Sequence, residues 1–141
     1  MAFVDSKSRG AVLVVDDEED LRSMMRDVLE GEHYVVLEAG DGTDALDILR
    51  SGAALSARLV IVDLRMPFMS GWELIARLRC DPEFSSIPIL VASGFPIHGD
   101  ASGVGATMPC IRKPFGADDL VTAVADAIGR TEVVGITPEG P

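Results

Sequence analysis

The chain has 141 residues, 48% of them hydrophobic, with twelve Lys and Arg against twenty-three Asp and Glu for a net charge of −11. That length holds one domain around one core, and the ordinary composition excludes wholesale disorder and a disulfide-stapled miniprotein. The acidic balance repels phosphate backbones and anionic headgroups, which argues against direct nucleic-acid or membrane partners.

Residues 1–10 read as a disordered start. Ala11 to Val15 is a short β-branched run, too short and too acid-flanked for a signal-peptide core. Glu19 to Glu30 then places Leu21, Met24, Met25, Val28 and Leu29 at helical spacing, so the opening reads strand, loop, helix. The alternation recurs: strand Tyr34 to Glu38 and helix Thr43 to Arg50; strand Leu59 to Val62 and helix Trp72 to Cys80; strand Ile87 to Ala92; strand Met108 to Arg112. A last helix runs from about Ala117 to Ile128, with Leu120, Val121, Val124 and Ile128 on one face. The strand runs lack polar alternation, as expected when helices cover both faces of a sheet. The fold class is therefore α/β, a doubly wound parallel sheet of five strands in one domain over residues 11–129. Between the fourth and fifth strands the glycine-rich stretch PIHGDASGVGAT predicts a weak helix. Residues 130–141 read as a tail or truncated linker. No apolar run approaches a membrane span, and Cys80 and Cys110 form no CxxC pair; a reducing, cytoplasmic setting fits.

In open parallel sheets, ligands bind beyond the carboxyl ends of the strands. Asp16 and Asp17 follow the first strand, Asp63 the third, Ser93 the fourth and Lys113 the fifth. Three carboxylates in one cleft raise one another's pKa unless a cation neutralises them. An all-oxygen set favours a hard divalent ion, and Mg2+ is usually held by one or two carboxylates with waters and phosphate oxygens. The Lys113 ammonium and the Ser93 hydroxyl can serve the oxygens of a phosphoryl group in transfer, with a carboxylate as acceptor. Only Lys7 and Lys113 are lysine among the twelve basic residues; at the end of the fifth strand a compact point charge replaces the arginine used elsewhere.

The segments VLVVDDEEDLR (Val12 to Arg22), VDLRMPFMSGWEL (Val62 to Leu74), VASG (Val91 to Gly94) and IRKPF (Ile111 to Phe115), in this order and spacing, resemble the response-regulator receiver domain of bacterial two-component signalling. The resemblance implies a flavodoxin-like sheet of order 2-1-3-4-5. It implies that Asp63 accepts phosphate from a histidine kinase or a histidine phosphotransfer protein, and that the chain is a signalling domain and not an enzyme beyond self-phosphorylation and self-dephosphorylation. It makes Asp17 and Asp63 direct Mg2+ ligands, Asp16 a ligand through water, and the backbone carbonyl of Arg65 another; Ser93 and Lys113 bind the phosphoryl oxygens. It also implies a cis peptide before Pro114, where X-Pro makes the cis form accessible. Two departures stand out. Cys110 occupies a position where the family often has an aromatic that moves with the Ser93 hydroxyl, and the segment from Phe95 to Gly105 is short and glycine-rich, which makes it a candidate bistable element.

Each feature has a plainer reading. Asp16 and Asp17 alone could cap the following helix. Arg65 and Phe95 either tune phosphate loss or simply pack loops. His33 and His98 lack a partner at metal-ligand spacing and read as turn or surface residues. Cys80 and Cys110 read as small packing residues. Arg22 and Arg26 fall off the apolar stripe of the first helix, where they face either a phosphodonor or solvent. A phosphohydrolase with an aspartyl-phosphate intermediate would need a general acid where Arg65 stands. An unphosphorylated adaptor would not need the full set of five site residues, and no glycine-rich nucleotide motif follows any strand.

Overall fold

The computed structural model describes residues 8–52, 57–94 and 108–136, with 130–136 described by their backbone alone. In chain order the elements are β1 Ala11–Val15, α1 Glu19–Gly31, β2 Val35–Ala39, α2 Gly42–Arg50, β3 Ala57–Asp63, α3 Gly71–Cys80, β4 Ile89–Ser93, β5 Cys110–Arg112 and α4 Ala117–Ile136. The strands form one sheet of order β2-β1-β3-β4-β5, and all four pairings are parallel. This is the doubly wound α/β sheet, with β1, β3 and β4 inside and β2 and β5 at the edges.

The interior strands are apolar on both faces because both faces are covered. Leu13, Val15, Val60, Val62, Ile89 and Val91 pack with Ala45, Leu46 and Leu49 of α2 and Leu74, Ile75 and Leu78 of α3. Their neighbours Val12, Val14, Leu59, Ile61, Leu90 and Ala92 pack with Met25 and Leu29 of α1 and Leu120, Val124 and Ile128 of α4. Burying each such side chain contributes about 1.5–3 kcal/mol relative to exposure, so both layers are needed. With both faces apolar, alternation alone does not fix the register. The polar residues that end the strands do so, because a slip toward the interior would carry Asp63 or Ser93 between apolar layers.

Helix starts follow their caps. The Asp41 carboxylate accepts from the Asp44 amide at the start of α2, and the Ser70 hydroxyl accepts from the Glu73 amide at the start of α3. α1 has no side-chain cap at Glu18; instead Asp16 Oδ1 accepts from the Glu18 amide at 2.9 Å. The capping reading of Asp16 is thus correct in part. His33 is an exposed turn residue with φ 75°, a region in which histidine is enriched.

Several boundaries differ from the sequence reading. β5 begins at Cys110 instead of Met108, since Pro109 has no N–H and only its carbonyl joins the ladder, accepting from Val91 at 3.0 Å. Pro88 likewise precedes β4, its carbonyl accepting from Val60 at 3.0 Å. The start is not wholly loose: the Arg9 amide bonds the His33 carbonyl at 2.8 Å, and the Arg9 guanidinium lies 5.4 Å from the Tyr34 ring centroid. The last helix, expected to stop at Ile128, continues through Gly129 to Ile136, so the segment from Thr131 is helical where a patternless tail was expected. One interior glycine costs about 1 kcal/mol against alanine and does not by itself end a helix. Residues 1–7 and 137–141, and the segment holding Phe95, His98 and Gly105, lie outside the described residues. No helix among the described residues is long and apolar enough to cross a membrane.

Candidate functional site

The carboxyl ends of β1, β3, β4 and β5 lie together along one edge of the sheet. Asp16 follows the last residue of β1, and its amide bonds the Ala39 carbonyl at the end of β2 at 3.1 Å. Asp63 closes β3 in register with Ala92 of β4, one residue before Ser93. The Lys113 amide bonds the Ser93 carbonyl at 2.7 Å, which extends the β4–β5 pairing into the site. Asp16, Asp63 and Ser93 are the buried polar residues among those described.

These placements bring one oxygen from each of Asp16, Asp17 and Asp63 within 4.8 Å of one another. Asp17 is exposed and opens the cluster to solvent, whereas Asp16 is 1% exposed. Lys113 Nζ lies 2.9 Å from Asp16 Oδ2 and 3.5 Å from Asp63 Oδ2. The Arg65 amide donates to Asp63 Oδ1 at 3.2 Å. Burial first, and then the Asp16 carboxylate, push Asp63 above its ordinary 3.8; the Arg65 amide and Lys113 pull it down, and Asp17 adds to the push. Burial works against the Lys113 charge, but the hydrogen bond and charge of Asp16, followed by Asp63 and Glu18, outweigh it and hold the ammonium above its ordinary 10.5.

Two like charges at such a separation cost about 3 kcal/mol at an effective dielectric of 20. Three carboxylates against one ammonium leave two negative charges uncompensated. A hard divalent cation matches that deficit and the all-oxygen donor set, so the residues present fit Mg2+. Asp16, Asp17 and Asp63 would hold it.

The remaining predicted residues fall as follows. The Lys113–Pro114 peptide is cis. Arg65 is exposed beside the cluster. Cys110 pairs with Val91 three residues before Lys113 and is exposed, as is Cys80; the reading of these thiols as packing residues is corrected. On the short edge strand β5 only Ile111 turns into a covered face. Phe95 lies outside the described residues.

Three features in or beside the site are not evident from the sequence. Arg22 neither faces solvent nor stands free: its Nη1 donates to the Asp16 carbonyl at 2.7 Å and its Nε to Glu38 at 3.2 Å. Arg26 also bonds Glu38, at 2.8 Å. Together they tie α1 to β2 and brace the loop carrying Asp16 and Asp17, a structural role beyond the solvated face expected of them. Gly71 is the second. A β-carbon there would run into the Asp63 carbonyl oxygen and lie 2.7 Å from Leu64 Cα, so only glycine lets α3 start against the loop that follows Asp63. Phe68, in that loop, is the third; it is 92% exposed with φ 68°. Arg22 could be suspected from its position six residues after Asp16, off the apolar stripe. The other two depend on contacts and backbone angles that no spacing rule reveals.

Comparison with known proteins agrees with this geometry. The family profile described as the response regulator receiver domain matches residues 12–125. The polar-differentiation response regulator DivK of Brucella anthropi is 26% identical over 121 residues, covering 84% of this chain and 96% of that protein. The chemotaxis response regulator CheY4 of Vibrio cholerae superposes with a TM-score of 0.73 at 26% identity, covering 84% of this chain and 98% of that one. Response regulator protein TrrA of Thermotoga maritima, solved in complex with Mg2+–BeF, superposes with a TM-score of 0.71 at 29% identity, over 84% of this chain and 98% of that one.

Proposed function

Because the chain belongs to the response regulator receiver domain family, we propose that it is a phosphoacceptor switch in which Asp63 takes a phosphoryl group from the phosphohistidine of a histidine kinase or histidine phosphotransfer protein. The observation that carries this reading is the lysine set between two carboxylates: Lys113 lies 2.9 Å from Asp16 and 3.5 Å from Asp63 at the mouth of the sheet.

In the transfer, an Asp63 carboxylate oxygen attacks phosphorus in line. The P–N bond to the donor imidazole breaks, its electron pair stays on the ring nitrogen, and an acyl phosphate forms on Asp63. Bound Mg2+ would supply charge neutralisation for the phosphoryl oxygens, held by Asp17 and Asp63 directly, by Asp16 through water, and by the Arg65 carbonyl. Lys113, charged at neutral pH, contributes the fixed positive charge of the protein itself. The Ser93 hydroxyl donates to a phosphoryl oxygen. Arg22 holds the Asp16 backbone through its bond to that carbonyl.

Receiver domains are signalling domains and not classical enzymes, and the side chains here agree. Arg65 occupies the place two residues beyond the acceptor where a phosphohydrolase would need an acid to protonate its leaving group. Arg65, with Phe95, is assigned the tuning of phosphate lifetime, and Cys110 and residues 95–105 the response of the surface to phosphate. Residues 11–129 form the receiver unit and 130–141 its tail or linker. The setting is the cytoplasm, and the output is a change in affinity for a protein partner by a shift between two conformations, with neither nucleic acid nor membrane bound directly.

Intact-mass measurement after incubation with Mg2+ and a small-molecule phosphodonor tests the proposal. The natural chain gains one phosphoryl group only when Mg2+ is present, and Asp63→Ala gains none. Folded, Mg2+-binding protein that takes up no phosphate from any donor, or takes it up unchanged in Asp63→Ala, overturns it.

A further inference from the structure

The surface beside the acceptor contains one residue that serves neither the core nor the cation cluster. Phe68 is 92% exposed, and its φ of 68° places an aromatic residue in the left-handed region that residues with a β-carbon avoid. Both features work against the fold: the ring buries nothing and the backbone is strained. Glycine at the same place would remove both penalties. Backbone strain held at a position with no packing return is a signature of function.

The loop holds the ring outward. The Gly71 amide bonds the Leu64 carbonyl at 3.0 Å, which closes the two ends of the loop on each other. Met69, next to Phe68, is buried, and its side chain occupies the space beside Gly42, where a β-carbon would come 2.6 Å from Met69 Sδ. On the other side, Pro67 has its φ fixed by its ring, and its carbonyl accepts from the Met69 amide at 2.7 Å. Phe68 is thus anchored on both sides in a loop rooted at Asp63.

We propose that Phe68 is the aromatic anchor on which the phosphodonor protein seats when it presents its phosphohistidine to Asp63. The inference rests on the acceptor role proposed above. A donor that reaches Asp63 must cover the surface around it, and an encounter burying about 600–800 Å2 on each partner covers a disc roughly 14–16 Å in radius. Five residues of fully extended chain span at most about 18 Å. Phe68 also stands three residues, at most about 11 Å, before Gly71, whose β-position meets the Asp63 carbonyl, so the disc reaches it. An exposed, pre-positioned aromatic within such a patch is the kind of residue that carries binding energy. The rim is acidic, with Asp17, Glu18, Glu19 and Asp20 all exposed. The matching donor surface is an apolar pocket, bordered by Lys and Arg, beside the phosphorylated histidine.

The test compares the natural chain with Phe68→Ala, Phe68→Gly and Phe68→Tyr, using acetyl phosphate as small donor and, as protein donors, a panel of purified, autophosphorylated histidine-kinase cores. With acetyl phosphate all four proteins are charged at the same rate. With the kinase core fastest on the natural chain, kcat/KM falls about tenfold or more in Phe68→Ala and Phe68→Gly, chiefly through KM, and Phe68→Tyr restores it. Equal transfer to all four overturns the inference, as does charging by acetyl phosphate with no transfer from any kinase core; in both cases Asp63 remains the acceptor. Unchanged transfer with altered sedimentation assigns Phe68 to a second copy of the chain, which also overturns the inference. No charging of the natural chain by any donor is instead the failure of the acceptor reading.

Discussion

The surroundings of Asp63 disfavour its charged form. Burial and the Asp16 carboxylate raise its pKa above 3.8, so the native state binds more protons than the unfolded chain between that value and the raised one. Stability therefore falls as pH rises through this window, and the cost persists at neutral pH. Asp63→Asn removes the titrating charge while keeping the shape. In Mg2+-free buffer at neutral pH its melting temperature is expected to exceed that of the natural chain, with the gap closing as pH falls toward 3.8; thermal scans at stepped pH check both the sign and the window. Phe68 gives a second prediction at this scale. Glycine holds the same left-handed backbone without the β-carbon penalty of about 1–2 kcal/mol, and the extra freedom of unfolded glycine returns about 0.5–1 kcal/mol. Phe68→Gly should thus be more stable by about 0.5–1 kcal/mol, a rise in Tm of about 1–4 °C by calorimetry.

At the scale of elements, the contact between β3 and the start of α3 sets how Asp63 is presented. A methyl group at position 71 meets backbone atoms of Asp63 and Leu64, which cannot swing away as a flexible side chain can. Gly71→Ala is expected to destabilise by about 1–3 kcal/mol, as overpacking does, and to slow phosphorylation by a small-molecule donor, because relief requires the Asp63 backbone to shift. Denaturant melts and mass-based phosphorylation rates read the two effects separately. The same junction shows how far the sequence could be read. The strands were legible because VLVV and LVIVD are apolar runs that only a doubly covered sheet accommodates. Their polar end residues, Asp16, Asp63 and Ser93, were legible as site residues for the same reason. The close approach at Gly71, the Arg22 bond to the Asp16 carbonyl and the left-handed Phe68 were not, since each arises from a distance or angle between elements that hydropathy does not encode. The end of α4 was misread because Gly129 looks like a terminator only when the turns beyond it are ignored.

Across the whole molecule the net charge is −11, and two of those charges stand uncompensated where three carboxylates share a single lysine. A cation bound only by the folded chain stabilises it through mass action. At about a hundredfold excess over its Kd, Mg2+ is expected to add about 2.7 kcal/mol to the unfolding free energy. Asp17→Asn should remove most of that gain and leave the metal-free stability nearly unchanged, because Asp17 is exposed. Chemical denaturation with and without Mg2+ measures both. Asp16 and Lys113, which meet at 2.9 Å, stand 97 residues apart in the chain. Unlike a local ion-binding loop, this pocket has no partial form: a nascent chain still waiting for its fifth strand carries every acid but not the lysine that opposes them. On the phosphoacceptor reading proposed above, a ribosome must therefore have released residue 113 before the protein can accept its first phosphate. On the same reading, a protease cut that removes the chain from that lysine onward would silence the switch while leaving Asp63 in place.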